Sequence, residues 1–360
     1  MAQEKSAADR FRRFSDTHAK KIDGAIRRFF DRKARGAEFP FMRGMYGLLR
    51  EYCGRDGKRV RPLVMIASCI GYGGSIAPGR LAGIASVLEL MHSFLLVQDD
   101  IIDKSDLRRG GKSLHRICHD RFGKASHNEL IGSDIALILG DVLVANSVEM
   151  MGDAGIDPRR IGAFVKEFAR SLEITAWGQI LDIMNSQSRK AERPRETALQ
   201  IGMMKTAHYT IHYPMLLGCV LAGADSGEEK KRIRDFALPL GLAFQVRDDI
   251  LGVFGNEAAT GKPSDSDILE GKMTLLVSGA IELLRGKERE RFIALYTGGK
   301  KSRRDVEVIR RIIAESGSLA MAKKMHAEKV RLSSRALARL SMNDPMKGVL
   351  EGLVAIISEL

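Results

Sequence analysis

Tryptophan occurs once in this chain of 360 residues, and aromatic residues make up only 6% of it. The four cysteines are widely separated, with no metal-type pairing, so we interpret Cys53, Cys69, Cys118 and Cys219 as reduced thiols. The first residues lack the apolar run of a secretory signal, and no stretch approaches the ~20 uninterrupted apolar residues of a membrane span. These absences predict a cytoplasmic protein.

The charge is strongly basic, with 58 Lys and Arg against 45 Asp and Glu. Much of the excess lies between Arg285 and Arg339, where sixteen Lys or Arg face six Asp or Glu. This basic segment has no aromatic interleaving and no recognisable nucleic-acid module, so DNA or RNA binding has little support. A solvated helical surface and attraction to an anionic membrane surface both stay open for it.

Helical periodicity dominates the chain, and alternating strand patterns are scarce. Glycine- and proline-containing breaks separate apolar segments of helix length, among them Leu81 to Ile102, Asp134 to Met151 and Leu238 to Val253. No linker, low-complexity tract or short repeat divides the chain. We therefore predict a single all-α domain over residues 1–360. Its basic first stretch, residues 1–36, is expected to be peripheral, as an exposed amphipathic helix or a partly disordered segment.

The most informative feature is a cluster of carboxylates in apolar, helix-patterned sequence: Asp99, Asp100 and Asp103. At about 100° per residue, Asp99 and Asp103 lie about 40° apart on a helix, and Asp100 about 60° from Asp103. Carboxylates on one face repel each other unless a cation neutralises them, and such hard oxygen ligands suit Mg²⁺. A second acidic pair, Asp248 and Asp249, follows in similar sequence. A single acidic patch on a helix is usually solvated surface. Two such patches predict that a diphosphate is bound between them through several Mg²⁺ ions.

Smaller polar groups accompany the acidic motifs, each with an ordinary explanation of its own. The segment Gly57–Pro62 carries three cations, which offer complementary phosphate contacts but are common in basic loops. His92 lies two helical turns before Asp99 and so shares roughly its face, although a lone histidine in an apolar helix is more often a core residue. The loop 261–272 contains glycines and two lysines, and it suits a mobile lid over phosphates. The remaining groups are the pair Gln179 and Asp182 and the pair Lys205 and Thr206.

Taken together, these motifs resemble the trans-isoprenyl diphosphate synthases, in particular the archaeal-type geranylgeranyl and farnesyl diphosphate synthases. The resemblance runs from about Gly57 to Leu276 and rests on six motifs in the family's order and spacing. It implies one all-α domain, a bundle of ten or more helices around a deep central cavity, assembled as a homodimer. It also implies head-to-tail condensation of isopentenyl diphosphate with an allylic diphosphate, by ionisation, condensation and proton elimination.

The resemblance further assigns roles to single residues. It makes Asp99, Asp103 and Asp248 the ligands of three Mg²⁺ ions, with Asp100 and Asp249 in support. The expected contacts with the allylic diphosphate are Arg108, Lys205 and Lys262. The expected contacts with isopentenyl diphosphate are Lys58, Arg61, His92 and Arg109. Thr206 and Gln245 are expected to line the reacting region, and Lys272 completes the substrate-binding set.

Gly252 departs from the family pattern, because many members carry a third Asp there. This resembles a variant, common among archaeal and some bacterial synthases, in which the first Asp pair suffices. Asp265 or Asp267 would compensate from the following loop, although solvated loop acids are the simpler interpretation.

Product length should depend on the depth of the apolar tunnel beneath the first acidic motif. Phe94 and Leu95 lie five and four residues before Asp99, where a helical side chain can act as a floor. Packing in the core is the alternative role for Phe94. We predict a product of about fifteen to twenty carbons, with geranylgeranyl diphosphate favoured, and allow peripheral membrane contact for product handover.

Two other functions stay open at this point. A terpene cyclase also ionises an allylic diphosphate, but it needs no isopentenyl pocket, and Lys58, Arg61 and Arg109 argue against it. A non-catalytic subunit that tunes a partner synthase commonly loses one acidic motif, whereas this chain retains both.

Overall fold

The computed structural model describes residues 2–187, 194–255 and 265–360, and nearly all of their regular structure is helical. The all-α prediction is confirmed. The helices in chain order are α1 (Ala2–Arg35), α2 (Pro40–Cys53), α3 (Val60–Gly71), α4 (Pro78–Ile102), α5 (Leu114–Phe122), α6 (Ile131–Asp153), α7 (Pro158–Gln187), α8 (Pro194–Ile201), α9 (Tyr213–Ala222), α10 (Gly227–Phe254), α11 (Ser266–Leu269), α12 (Leu275–Leu283), α13 (Gly286–Thr297), α14 (Arg303–Glu315), α15 (Ser318–Leu337) and α16 (Asp344–Ser358). A 3₁₀ turn covers Gly123–Ala125, and a π-helical segment covers Gly202–His212.

A short hairpin is the regular β-structure of the described residues. Its strands, β1 (Leu107–Arg108) and β2 (Gly111–Lys112), pair antiparallel. Arg109 and Gly110 form the two-residue turn, with φ of 51° and 72°. Positive φ at both turn residues is the geometry that matches the twist of a tight hairpin. The turn therefore fixes the direction in which the side chain of Arg109 extends from the backbone.

The chain forms two compact units. The first unit comprises Arg12–Val165 and Leu217–Ala224, and the second comprises Met1–Phe11, Lys166–Leu216 and Asp225–Leu360. The single domain over residues 1–360 stays a prediction.

Helix α4 is the centre of the first unit, where it packs against α3 and α6. It is apolar on nearly all sides because most of it is buried, which is typical of a central helix. The α1 residues of this unit are less peripheral than the sequence suggests, since Ile22, Ile26 and Phe30 recur at helical spacing and are fully buried. The four cysteines are free and buried, as expected.

Two helices of the first unit, α4 and α6, are long and apolar enough to cross a membrane by length and composition. The sequence did not suggest this, because no apolar run in it is uninterrupted. The apolar window of α4 is 72% buried and that of α6 is 44% buried. Burial of this kind is what a core helix of a soluble protein shows, so the two helices are weak evidence for a membrane span.

Helix α10 organises the second unit by packing against α15 and the π-helical segment. Gly241 allows the close approach, because a Cβ there would overlap the backbone of Ala207. The C-terminal part of α10 joins a hydrophobic core with α12, α13 and α14, which includes Val253, Leu276 and Ile309. This packing fixes the end of α10, which carries the second acidic motif.

Candidate active site

The first acidic motif occupies the C-terminal end of α4. Asp100 is completely buried, whereas Asp99 and Asp103 are partly exposed, and Asp103 is the residue that caps the helix. Burial raises the pKa of Asp100, while hydrogen bonds and charge from Arg108 act in the opposite direction. The Tyr52 hydroxyl, 3.4 Å away, also donates to Asp100. The motif therefore contains one fully buried carboxylate and two that are partly exposed.

Arg108 binds the first acidic motif from β1. Its Nε donates to Asp100 at 2.7 Å, its Nη2 also contacts that carboxylate, and Nη2 lies 3.5 Å from Asp99. Arg55 braces the hairpin by donating to the carbonyl oxygens of Arg108 at 3.1 Å and Lys112 at 2.8 Å. The cation is thus held beside the carboxylates by charge-assisted hydrogen bonds.

A second group of cations surrounds Glu89, nearly three turns before Asp99. Glu89 is 1% exposed and accepts hydrogen bonds from Arg59 at 2.6 Å and from Arg109 at 2.8 Å. His92, one turn further along α4, has its pKa lowered well below the usual value by burial and by neighbouring arginines, Arg61 foremost. A neutral imidazole can accept as well as donate a hydrogen bond there. Lys58 is exposed beside this group.

Several non-glycine residues near these cations have a positive φ, which is uncommon for residues that carry a side chain. In the part of the chain that the structure describes, the non-glycine residues with positive φ are Arg59, Lys104 and Arg109. Each costs of order 1 kcal/mol or more, and persists only when its surroundings fix it. All three flank the charged end or the middle of α4. This distribution is typical of a functional site.

The second acidic motif belongs to a hydrogen-bonded chain in the second unit. Thr206 donates to Gln245 at 2.5 Å, and the Gln245 amide donates to Asp249 at 2.7 Å. The backbone N–H of Leu275 donates to the other oxygen of Asp249 at 3.1 Å. Asp248 is exposed. As in the first motif, one carboxylate is held by protein groups and its neighbour faces outward.

Asp249 and Asp267 are two carboxyl groups that influence each other's ionisation. Burial raises the pKa of Asp249 to about 7; Asp267 and Asp248 raise it as well, against the Gln245 and Leu275 hydrogen bonds, which lower it. Asp267, on α11, is only half-buried, and its carboxylate occupies the space above Gly252. It is more than a solvated loop acid, the simpler interpretation of the sequence. A cation would relieve this repulsion.

The π-helical segment carries Lys205 and Thr206. Lys205 lies 2.8 Å from Asp182, so the polar residue singled out on α7 holds this cation. Gly178 makes the approach possible, because a Cβ there would lie 2.6 Å from the backbone N of Lys205. Lys272 contacts Glu270 at 2.7 Å, and Lys262 lies outside the described residues.

Phe94 lies at the contact between α4 and α6. It is 8% exposed, and its ring lies so near Gly140 that a Cβ there would be 3.2 Å from Phe94 Cδ2. Leu95, the next residue, is partly exposed. Packing and the control of product length are both compatible with this position of the ring.

The donor set fits Mg²⁺. Within the described residues there is no ready-made group of three or more His, Cys, Asp or Glu side chains that could hold a metal ion. Mg²⁺ does not need one, because it usually takes one or two carboxylates and completes its octahedron with water and substrate phosphates. Asp99 and Asp103 of the first unit are partly exposed and Asp248 of the second unit is exposed, and each is a ligand of that kind.

Sequence analysis missed several residues that build the site. Glu89, Asp23, Tyr52 and Arg55 hold the cations and the buried carboxylate, yet none stands in a recognisable motif. Arg59, one of three cations in Gly57–Pro62, is buried and holds protein carboxylates. A glutamate inside an apolar helix was the one available signal, since such a charge must be paired.

Known proteins are similar to this chain both in sequence and in fold. The Polyprenyl synthetase family model matches residues 43–314. A short chain isoprenyl diphosphate synthase of Methanothermobacter thermautotrophicus is 32% identical over 293 residues, 80% of this chain and 82% of that protein. A geranylgeranyl diphosphate synthase of Sulfolobus acidocaldarius is 34% identical over 248 residues, 68% of this chain and 69% of that protein.

The fold resembles the crystal structure of geranylgeranyl pyrophosphate synthase from Corynebacterium glutamicum, which was solved with isoprenyl diphosphate and magnesium. The TM-score is 0.82 at 26% identity, with 99% of this chain and 98% of that chain covered. These matches confirm the family that the motifs indicated. The chain belongs to the polyprenyl synthetase family and is a trans-prenyltransferase of the short-chain prenyl diphosphate synthases.

Proposed function

We propose that this enzyme catalyses the Mg²⁺-dependent head-to-tail condensation of isopentenyl diphosphate with an allylic diphosphate, and that geranylgeranyl diphosphate is its favoured product. The observation that carries the proposal is the charge arrangement along α4. Its end presents Asp99 and Asp103, while its middle anchors two arginine-bearing segments through Glu89. Metal-binding carboxylates and a separate group of cations are what two diphosphate substrates require.

The proposed ligands of three Mg²⁺ ions are Asp99, Asp103 and Asp248. Bound Mg²⁺ neutralises the charge that grows on the diphosphate oxygens as they leave the allylic carbon. Arg108, Lys205 and Lys262 hold the same diphosphate by charge-assisted hydrogen bonds. Since Arg108 is already fixed on Asp100, little reorganisation is needed when charge develops.

Isopentenyl diphosphate is held by Lys58, Arg61, His92 and Arg109 in this proposal. The allylic cation must meet the isopentenyl double bond before water does, which requires apolar surroundings such as those of α4. Thr206 and Gln245 orient the reacting region, and Lys272 assists in substrate binding. The proton lost after carbon–carbon bond formation passes to the departed diphosphate.

A homodimer is part of the proposal. On α6, Leu137 and Val148 are 47% and 54% exposed and stand eleven residues apart, three helical turns, so they share one face. On α7, Trp177, Ile180 and Met184 form a second exposed apolar stripe. Contiguous apolar surface of this kind is usually covered in an assembly.

The cellular setting is also proposed. A cytoplasmic location suits a chain with four free, buried cysteines. Most of the sixteen lysines and arginines of residues 285–339 are exposed, which would permit peripheral contact with an anionic membrane during product handover.

Charge removal at the acidic motifs tests the proposed reaction. Asp103→Asn and Asp248→Asn should each lower the Mg²⁺-dependent elongation rate by about a hundredfold or more, because each removes a proposed metal ligand. Asp157→Asn, which removes a partly exposed carboxylate paired with Arg159, is the control. Full activity in both motif variants would overturn the proposed ligand set.

A further inference from the structure

Glu89 is a buried carboxylate that joins two cations from different parts of the chain. Its Oε1 accepts from Arg59 at 2.6 Å and from Arg109 at 2.8 Å, and its side chain is 1% exposed. Burial alone would raise the pKa of Glu89, but the two guanidinium groups, Arg59 first, lower it overall. The carboxylate is therefore ionised, and both of its partners are drawn toward the middle of α4.

Arg59 is fixed from every side. Its backbone is left-handed, with φ of 47°. Besides Glu89, its guanidinium contacts Asp23 at 2.8 Å and donates to the carbonyl oxygen of Arg55 at 2.6 Å. With only 3% of the residue exposed, Arg59 does not present its charge to a substrate. It anchors the segment Gly57–Pro62, in which the exposed Lys58 precedes it and the partly exposed Arg61 follows it.

Arg109 anchors the other segment, the hairpin turn. Its Nη2 contacts Glu89, and 16% of its side chain remains exposed to solvent. Gly57 brings the two segments together, because a Cβ at Gly57 would lie 3.0 Å from Arg59 Nη1 and 3.1 Å from Arg109 Cζ. One carboxylate thus sets the spacing between the loop and the turn.

We propose that Glu89 is a positioning residue for the non-allylic substrate: through Arg59 and Arg109 it holds Gly57–Pro62 and the hairpin turn at the separation at which Lys58, Arg61 and Arg109 receive the diphosphate of isopentenyl diphosphate. The inference rests on the proposed function. It assigns Glu89 no contact with substrate, and it separates recognition of isopentenyl diphosphate from recognition of the allylic diphosphate.

Glu89→Gln tests the inference, because it keeps the shape of the side chain and removes its charge. A purely electrostatic account predicts tighter binding of isopentenyl diphosphate, since a negative charge near the cations is lost. Positioning predicts the opposite. KM for isopentenyl diphosphate should rise about tenfold or more, with less than a twofold change in KM for the allylic diphosphate. Calorimetric binding of isopentenyl diphosphate to the same variant should weaken by a similar factor.

Three further variants make the result specific. Glu89→Asp should recover part of the loss, because it restores the charge. Glu149→Gln removes a carboxylate from a more exposed ion pair with Lys33 and should change neither KM. Arg59→Gln breaks the link from the other side, leaves Glu89 in place, and should give the same selective rise if the Glu89 variants do not fold.

Equal increases in both KM values, or tighter binding of isopentenyl diphosphate by Glu89→Gln, would overturn the positioning role. Failure of the unaltered enzyme to bind or elongate isopentenyl diphosphate would instead overturn the proposed function on which the inference rests.

Discussion

The carboxylate of Asp267 occupies the space that a side chain at Gly252 would need. A Cβ built on Gly252 overlaps Asp267 Oδ2. Many family members carry a third Asp at this position of the second motif. Here the residue is Gly252, and the carboxylate of Asp267 from α11 lies in the space that an Asp side chain would need. The packing of Asp267 over position 252 thus accounts both for the glycine at that position and for the partial burial of Asp267.

Restoring the family's third Asp should harm this enzyme. Gly252→Asp introduces a steric overlap and a further negative charge beside Asp267 and Asp249, so we expect a loss of about 1–3 kcal/mol in the free energy of unfolding and slower elongation. Denaturant titration and a steady-state assay measure the two effects. Gly83→Asp, in which the new Cβ meets no atom within 4 Å, is the control. Unchanged stability with faster elongation in Gly252→Asp would show that Asp267 does not hold this space.

Phe94 should limit product length. Phe94→Ala removes the ring that lies against Gly140, which opens space beneath Asp99, and we expect products at least one isoprene unit longer. Chromatography of the dephosphorylated products measures chain length. Phe29→Ala removes a ring of similar burial in the same unit, 5% exposed against 8%, and should leave product length unchanged. An unaltered product distribution in Phe94→Ala would assign Phe94 to core packing alone.

The His208–His212 pair should make the protein less stable in acid. Their Nδ1 atoms are 3.2 Å apart, and burial, together with Arg234, lowers the pKa to about 4 for His208 and about 3 for His212. Below the unfolded value near 6.5, the unfolded chain binds protons that the folded chain does not. The free energy of unfolding therefore falls as the pH drops from 7 toward 4, by about 2 kcal/mol at pH 5 for His212 and by less for His208, which is more exposed to solvent.

His212→Gln should shrink the difference in unfolding free energy between pH 7 and pH 5 by about 2 kcal/mol. Urea titration at the two pH values measures it. His127→Gln, at an exposed position, is the control and should leave the difference in unfolding free energy between pH 7 and pH 5 unchanged. If His212→Gln retains the full difference, the pair does not set the acid sensitivity.

The exposed face of α6 should be covered by a second copy of the chain. Ile138 is 59% exposed there, and Ile138→Arg places a charge in the proposed interface, where desolvating it is costly. We expect monomers for this variant in sedimentation velocity, against dimers for the unaltered enzyme. Leu283→Arg, at an exposed position of the second unit, should sediment as the unaltered enzyme does. A dimer that survives Ile138→Arg would place the interface elsewhere.

Much of the fold and the outline of the site follow from local sequence. Glycine and proline breaks delimit apolar segments, and α4 and α6 form where periodicity predicts them, whereas α10 begins at Gly227, eleven residues before the predicted segment, and continues through Pro239. Asp99 and Lys205 stand in recognisable motifs. Glu89 could not be found in this way, because its partners lie thirty residues before it and twenty after it, and tertiary packing alone brings them together. The same holds for Asp267, whose position depends on the packing of α11 over Gly252.

Two backbone features of the site are also not predictable from the sequence. Helical periodicity cannot distinguish the π-helical segment from an α-helix, although that segment sets the direction of Lys205. Nor does sequence predict positive φ at Arg59, since arginine has no preference for it and the strain is offset by the buried ion pairs.

One assay addresses the central claim most directly. Purified protein would be incubated with Mg²⁺ and labelled isopentenyl diphosphate, offered dimethylallyl, geranyl and farnesyl diphosphates in turn, with a metal-chelated control. We predict metal-dependent elongation that stops at twenty carbons. No elongation with any of the three starters would contradict the account.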